Sequence, residues 1–475
     1  MKLYFAAPIA LATLLLFAQP SVAATDAERI QQLEEQLRQQ RQLMEQQQQM
    51  LEQMQSELQQ LKATPTAEPE DVPQELAQAD PYEPVVTGDK VGAPLSVNLY
   101  GFVMADMIYD FKRVDPDWED TLRVSTIPTE SGLYGNDGEF ITSVRQSRLG
   151  VKGNYGPDVT FLLEAELFGV GNDAGQTTPR LRHAWATYKN FGMGQYWSNF
   201  MDPDIFPNTI DYWGPTGMVF YRNQQARYTI PLGEDEFTIA LEDPSTALTI
   251  GRFRDVDNCD LPTAPPECES SGSTAEEVFQ AHNEWPDLSM HYRNNGDFGH
   301  YQIAGILRDL GYERLDNGAD ESELGWGINT SAGIRFFERD MLKLQVVYGE
   351  GIGNYMNDGG IDIAPSSADI TQADAKTVPL LGIVAYYDHY WNERWSTSLG
   401  WSMTDLDTTS GQADSEFAEG QIAQINLLHY PRSNVMLGSE FSWGERRDID
   451  GDTGTDYRIQ FSLKVGFDTG DLVSR

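Results

Sequence analysis

Arginines recur at one parity of the early alternating segments. Across Ser147–Gly153, Leu149 and Val151 alternate with Arg148, Gly150 and Lys152; Arg180 and Arg182 stand opposite Leu181 and Trp185; Arg227 shares a face with Gln225 and Thr229. Side chains alternate between the two faces of a strand, so arginines from three strands project to one side as a basic wall. Inside a pore, such a wall favours anions. The plainer reading pairs each arginine with a loop carboxylate or with lipid phosphate at a rim. For Arg145, whose parity is ambiguous, the two readings stand level.

A second constellation lies in the segment Phe200–Tyr221, which carries Asp202, Asp204 and Asp211 among Phe200, Ile205, Phe206, Ile210 and Trp213. So many large apolar groups argue against free solvation. Folded into a lumen, the segment would narrow it and set its acids across from the arginines; the alternative is an ordinary external loop. Asp448, Asp450, Asp452 and Asp456 place oxygens at alternate positions, but Ile459 stands where a calcium loop needs a bidentate Glu. A solvated acidic loop is the better reading. Gly349–Gly353 ends a strand and opens no helix, so it is no phosphate cradle. With no G-x-S-x-G motif and no supported Ser/His/Asp set, catalysis has no candidate. Neither a cofactor nor a metal is expected: the six His show no ligand spacing. Cys259 and Cys268, near neighbours in a polar Pro-containing stretch, read as a loop-stapling disulfide.

The elements that would position these residues are strands. From Leu95 to Phe467 the hydrophobic period is two. Trp395, Leu399, Trp401 and Met403 oppose Arg394, Ser396, Ser398, Ser402 and Thr404; Tyr457, Ile459, Phe461, Leu463, Val465 and Phe467 oppose Arg458, Gln460, Ser462 and Lys464. Segments of about ten residues with one apolar face, flanked by Tyr and Trp, are the mark of a transmembrane barrel, although a soluble sandwich also alternates. The connections discriminate. Short turns at Asn154–Asp158, Lys189–Gly192, Pro231–Asp235, Asn294–Asp297, Glu338–Asp340, Trp391–Asn392 and Tyr430–Ser433 alternate with long polar segments near 112–139, 170–179, 199–221, 244–283, 309–323, 351–376, 406–418 and 447–454. That layout gives about sixteen antiparallel strands, an all-β fold wide enough for an aqueous lumen. Short turns then face the periplasm and long loops the exterior, with both termini on the periplasmic side.

Residues 1–23 have the form of a signal peptide: Lys2, an apolar core from Ile9 to Phe17, and small residues before a cleavage point after Ala23. Residues 24–62 carry a heptad, with Ile30, Leu37, Met44, Leu51 and Leu58 on one seam position and Leu33, Gln40, Gln47, Met54 and Leu61 on the other. This is coiled-coil spacing, and it leaves the number of strands open. Residues 63–94, rich in Pro, Ala and acids, read as an extended linker; residues 95–475 form the barrel region. Of 475 residues 73 are acidic and 33 basic, a formal charge of −40 that argues against nucleic acid as a partner. It leaves the true partner open, because the excess acid can sit on solvated loops.

With these pieces placed, the chain resembles the DcaP-like branch of trimeric Gram-negative porins. The resemblance rests on Ser143–Gly153, Leu181–Tyr188, Gly194–Asp202 and Asn223–Pro231, taken in order, and on the coiled coil. It implies a homotrimer of sixteen-stranded barrels in the outer membrane, in contact with lipid and lipopolysaccharide. It also implies a periplasmic coiled coil, the third long loop as constriction, and passive uptake of small solutes leaning toward anions such as dicarboxylates. Arg148, Arg182 and Arg227 then match the basic wall, joined by parity by Lys152 and Arg180, with Asp202, Asp204 and Asp211 on the matching loop. One departure stands out: porins usually end on an aromatic residue, whereas here Asp468–Arg475 follows Phe467. Two other functions stay open: a general or cation-leaning pore, and a barrel that chiefly anchors a coiled coil to the cell wall.

Overall fold

The computed structural model describes residues 95–253, 279–314, 319–369 and 374–470. The signal peptide, heptad and linker assignments and the Cys259–Cys268 pairing lie outside these residues.

Period two dominates the described chain, and each apolar face needs a non-aqueous partner. One sheet of eighteen strand segments supplies it by closing on itself, the first strand, Leu95–Asp110, pairing with the last, Thr453–Asp468. Two pairs of segments each form one stave. Glu139–Ser143 and Arg148–Tyr155 both pair with Leu95–Asp110, and Phe279–Ala281 and Asp287–Gly296 both pair with Gly299–Arg314. The result is an antiparallel barrel of sixteen staves, as the alternation predicts. Among the described residues no helix is long and apolar enough to cross a membrane; the crossing elements are strands.

We number the staves used below. β2 is the split pair Glu139–Ser143 and Arg148–Tyr155; β3 is Val159–Phe168, β4 Thr177–Tyr188 and β6 Arg222–Leu232. The far wall includes β8 (Phe279–Ala281 and Asp287–Gly296), β9 (Gly299–Arg314), β10 (Ala319–Phe336), β11 (Asp340–Glu350) and β12 (Pro379–Asn392). It continues through β13 (Trp395–Leu406), β14 (Phe417–Arg432), β15 (Val435–Asp448) and β16 (Thr453–Asp468).

The facing of side chains is inverted relative to a soluble protein. Leu399 is 54% exposed while Ser398 and Thr404 are fully buried, because apolar groups point outward and polar ones inward. Exposed Tyr155, Tyr188, Phe191, Phe298, Phe337 and Trp391 collect at the short-turn end, where aromatic girdles of outer-membrane barrels lie. Most predicted turns fall in place. The sixth moves to Glu393–Arg394, because the strand runs on through Trp391 and Asn392. The fifth long loop is shorter than expected, since its flanking strands extend to Arg314 and begin again at Ala319. The break in β2 at 144–147 has no counterpart in the sequence expectation; there Ser147 Oγ lies 3.1 Å from the amide of Met104 and 3.2 Å from its carbonyl, bridging the unpaired stretch.

The apolar core is made by loops inside the barrel. Leu122, Val124 and Ile127 of the first long loop, Phe200, Ile205, Met218 and Val219 of the third, and Ile352 and Tyr355 of the sixth pack with lumen-facing Ile306, Val347, Val384 and Ile422. Gly217 shows how closely loop and wall approach: a Cβ there would lie 1.9 Å from the Met403 carbonyl oxygen.

Candidate pore constriction

The basic wall assembles on β2, β3, β4 and β6. Leu149, Leu163, Leu181 and Tyr228 are exposed toward lipid, so Arg148, Glu164, Glu166, Arg180, Arg182 and Arg227 turn inward by alternation. Glu166 is the hub. Its Oε2 accepts from Arg182 Nη1 at 2.6 Å and its Oε1 from Arg180, while Arg148 Nη2 lies 3.6 Å and Arg222 Nη2 3.8 Å away. Glu164 accepts from Arg182 Nε at 2.7 Å and Tyr100 OH at 2.7 Å, with Arg148 Nε 3.6 Å off. Four guanidinium groups thus share two carboxylates, leaving the cluster net positive.

Arg227 stands apart, its guanidinium 4.8 Å from the Trp185 ring and 5.0 Å from Tyr196. Lys152 shares the parity but lies near the short-turn end, half exposed and bound to Asp468 at 3.0 Å. Arg145 takes the local option, with Asp120 at 2.6 Å and the Gly169 carbonyl at 2.8 Å.

The third long loop, residues 198–221, runs inside the barrel and is fastened along the far wall. Its carbonyls at Phe200 and Met201 accept from Asn329 and Gln302, and its amides at Asn208 and Gly217 donate to Asp388 and Ser402. The expected acids serve this fastening. Asp202 accepts from His300 at 2.9 Å, Ser331 at 2.6 Å and Arg293 at 3.1 Å; Asp204 accepts from the same Arg293 at 2.5 Å. Burial raises the Asp202 carboxyl, but these hydrogen bonds and the Arg293 charge outweigh it and hold the group below its ordinary value. Asp211 accepts from Thr121 Oγ1 at 2.8 Å and the Leu122 amide at 2.9 Å, with Arg458 3.6 Å away. Their partners are therefore on the far wall and the first loop, not on the arginine wall.

Tyr212 is the loop residue that reaches the arginines. Its hydroxyl donates to Glu166 Oε1 at 2.5 Å and accepts from Arg180, and its ring stacks on Phe168 at 3.8 Å. On one side of it a cavity of about 220 Å³ is lined by Arg148, Arg182, Trp197 and Phe206, with Asp211 of the third loop also on its wall. On the other, at the long-loop end, lies a cavity of about 400 Å³.

Sequence reasoning did not name Glu164, Glu166, Tyr212 or Arg222. The two glutamates were visible as acids alternating with Leu163, Ala165 and Leu167; Tyr212 and Arg222 gave no signal, because their roles depend on the path of an irregular loop. Among the described residues two groups bring possible cation ligands together: Asp202, Asp204 and His300, whose carboxylates already hold Arg293, and exposed His282, Glu284 and Asp320.

Residues 37–246 match the family described as DcaP outer membrane protein. The outer membrane channel DcaP of Acinetobacter baumannii is similar to this chain at 21% identity, over 80% of this chain and 100% of that one, with a TM-score of 0.64. An anion-selective porin from Comamonas acidovorans aligns at 10% identity over 79% of this chain and 100% of its own, with a TM-score of 0.49. The outer membrane protein OmpT of Vibrio cholerae aligns at 9% over 78% and 98%, with a TM-score of 0.44. No curated protein matches the chain. The fold is that of an outer-membrane channel.

Proposed function

From the match of residues 37–246 to the family described as DcaP outer membrane protein and from the barrel fold, we propose a passive diffusion channel for small hydrophilic solutes that favours anions such as dicarboxylates. The observation that carries the preference is the cluster of Arg148, Arg180, Arg182 and Arg222 around Glu164 and Glu166 at the narrowing beside Tyr212. Fixed positive charge at a constriction raises the local concentration of anions and lowers that of cations. The acids of the third loop offset part of it: Asp202 and Asp204 share Arg293, and Asp211 is fastened to the first loop. The channel works as a homotrimer embedded in outer-membrane lipid and lipopolysaccharide, and its N-terminal heptads lie in the periplasm, within reach of the cell wall. Its work is transport, not catalysis.

The test is the reversal potential of the full chain in planar bilayers under a salt gradient. Wild type prefers anions, and Arg148→Ala and Arg182→Ala each shift the potential toward cation permeability. A cation preference in wild type would return the assignment to a general or cation-leaning pore. Absence of conductance in folded, inserted protein would leave the anchoring role as the reading to pursue.

A further inference from the structure

The cavity at the long-loop end differs from its surroundings in charge. It is lined by Trp118, Arg123, Arg180, Tyr212, Trp213 and Arg222, together with apolar and amide groups, and no carboxylate lines it. In a chain with 73 acidic and 33 basic residues, three arginines line this space; Arg123 is paired with Asp358 and Arg180 with Glu166, which leaves Arg222 without a hydrogen-bonded carboxylate.

Two donors beside this cavity have no acceptor. Arg222 Nη1 and Trp213 Nε1 are both buried without a hydrogen-bond partner. The nearest carboxylate contact of Arg222 is a 3.8 Å approach of Nη2 to Glu166, beyond hydrogen-bond range. Leaving buried donors unpaired is costly, so the site is set to recover that cost when an acceptor arrives. Guanidinium and indole N–H groups only donate, so the missing partner is an acceptor, and the Arg222 charge, with no carboxylate in hydrogen-bond range, selects an anionic one. The walls are flat. Arg123 lies 4.4 Å from the Trp118 ring and 4.8 Å from Trp213, held there by Asp358 at 3.1 Å. The two rings meet edge to face, 4.8 Å between centroids, and a carboxylate beside them can take N–H groups from a guanidinium and an indole.

We propose that this cavity is a carboxylate-binding station, separate from the inner arginine wall, with Arg222 and Trp213 as its anchoring donors and Tyr212 as the bar between the two. The proposal rests on the anion-channel reading and sharpens it: solute pauses at a defined site before the narrowing, so flux saturates instead of rising linearly. On the far side of the bar Arg148 Nε is likewise without a partner, and it offers the next donor inward.

The experiment uses the full chain in planar bilayers and, separately, calorimetry on the detergent-solubilised protein, with succinate as probe and inorganic phosphate in a parallel arm. Wild type binds succinate saturably and more tightly than phosphate, and succinate reduces the chloride current over the same concentration range. Arg222→Gln weakens succinate at least tenfold, the loss of a charged hydrogen bond, and Trp213→Phe, a milder change, about threefold to tenfold. Linear, unsaturable succinate effects, tighter binding of phosphate, or unchanged affinity in both variants would each overturn the station. Chloride conductance in wild type with no succinate binding overturns the station and spares the channel; succinate binding without conductance does the reverse.

Discussion

Removal of the Glu440 carboxylate is the sharpest perturbation of the third loop. Glu440 lies on β15 and is 1% exposed. Its Oε2 accepts the Ile210 amide at 2.9 Å and Asn426 Nδ2 at 3.0 Å; its Oε1 accepts the Asp211 amide at 3.1 Å and Gln424 Nε2 at 3.2 Å. In Glu440→Ala the side-chain amide of Asn426 keeps the Asn208 carbonyl at 2.8 Å, and Gln424 still accepts from Tyr386. The two backbone amides have no such recourse. At about 1–3 kcal/mol for each buried amide left without an acceptor, the turn at Ile210–Asp211 loses roughly 2–6 kcal/mol of attachment. That shifts the ratio of attached to detached turn about thirtyfold or more. The loop stays fastened at Asn208 and Gly217, so the release is local and the strand ladder keeps its stability.

Single-channel recording is the assay: Glu440→Ala shows raised conductance or added open-channel noise, and Glu440→Gln, which retains one carbonyl acceptor, falls between it and wild type. The melting temperature of the folded barrel changes little in either. If Glu440→Ala conducts as quietly as wild type, the turn is held by packing of Ile210 against Met104, Leu428 and Met436, and the hydrogen-bond argument fails.

Three further outcomes follow from the same geometry. Gly217→Ala places a methyl group where the Met403 carbonyl stands 1.9 Å away, so the loop lifts from β13 and single-channel conductance rises; an unchanged current would show the contact to be slack. Because the Asp202 carboxyl is held below its ordinary value, its contribution is fully present above about pH 4 and is lost as the pH falls further. Wild-type conductance is therefore steady from pH 8 to pH 5 and changes only in stronger acid, whereas Asp202→Asn is altered already at neutral pH. Deleting residues 24–94 leaves conductance and ion preference intact in bilayers, and loss of both would tie those residues to the pore itself.

The staves were legible in the sequence because lipid on one side and water on the other impose a strict period of two. Ser396, Ser398, Ser402 and Thr404 against Leu399 is a pattern that only a wall between two solvents keeps for so long. The inward parity of Arg148, Arg180, Arg182 and Arg227 came with it. What the pattern did not carry was the partner of each group. Glu166 meets Arg182 because β3 and β4 are neighbours with a shifted register between Glu164 and Phe168, and a bulge of that kind has no periodic signature. The third loop was recognisable as one that packs inside, from Phe200, Ile205 and Ile210, but an irregular backbone does not announce which side chains it sends to which wall. The acids were expected opposite the arginines; Asp211 does line the cavity beside Arg148 and Arg182, but the loop residue that bonds to the cluster is Tyr212.

The same facts reconcile a formal charge of −40 with the proposed preference for anions. A wide barrel with loops folded inside buries many backbone amides that have no strand partner, and each needs an acceptor. Carboxylates are the strongest acceptors available to the chain. Asp388 takes the amide of Asn208, Glu440 those of Ile210 and Asp211, Asp211 that of Leu122, and Asp362 those of Ala247 and Asn354. Others neutralise arginines that face no solute: Asp110 binds Arg458 at 2.6 Å, and Asp287 and Asp362 bind Arg308 at 2.9 and 2.8 Å. Acids used in this way are fixed, paired and out of the water path, so they count toward net charge and little toward the field a permeating ion meets. The arginines beside Tyr212 outnumber their carboxylates and border open cavities. In the proposed channel, selectivity follows the charge beside Tyr212, where four guanidinium groups share two carboxylates.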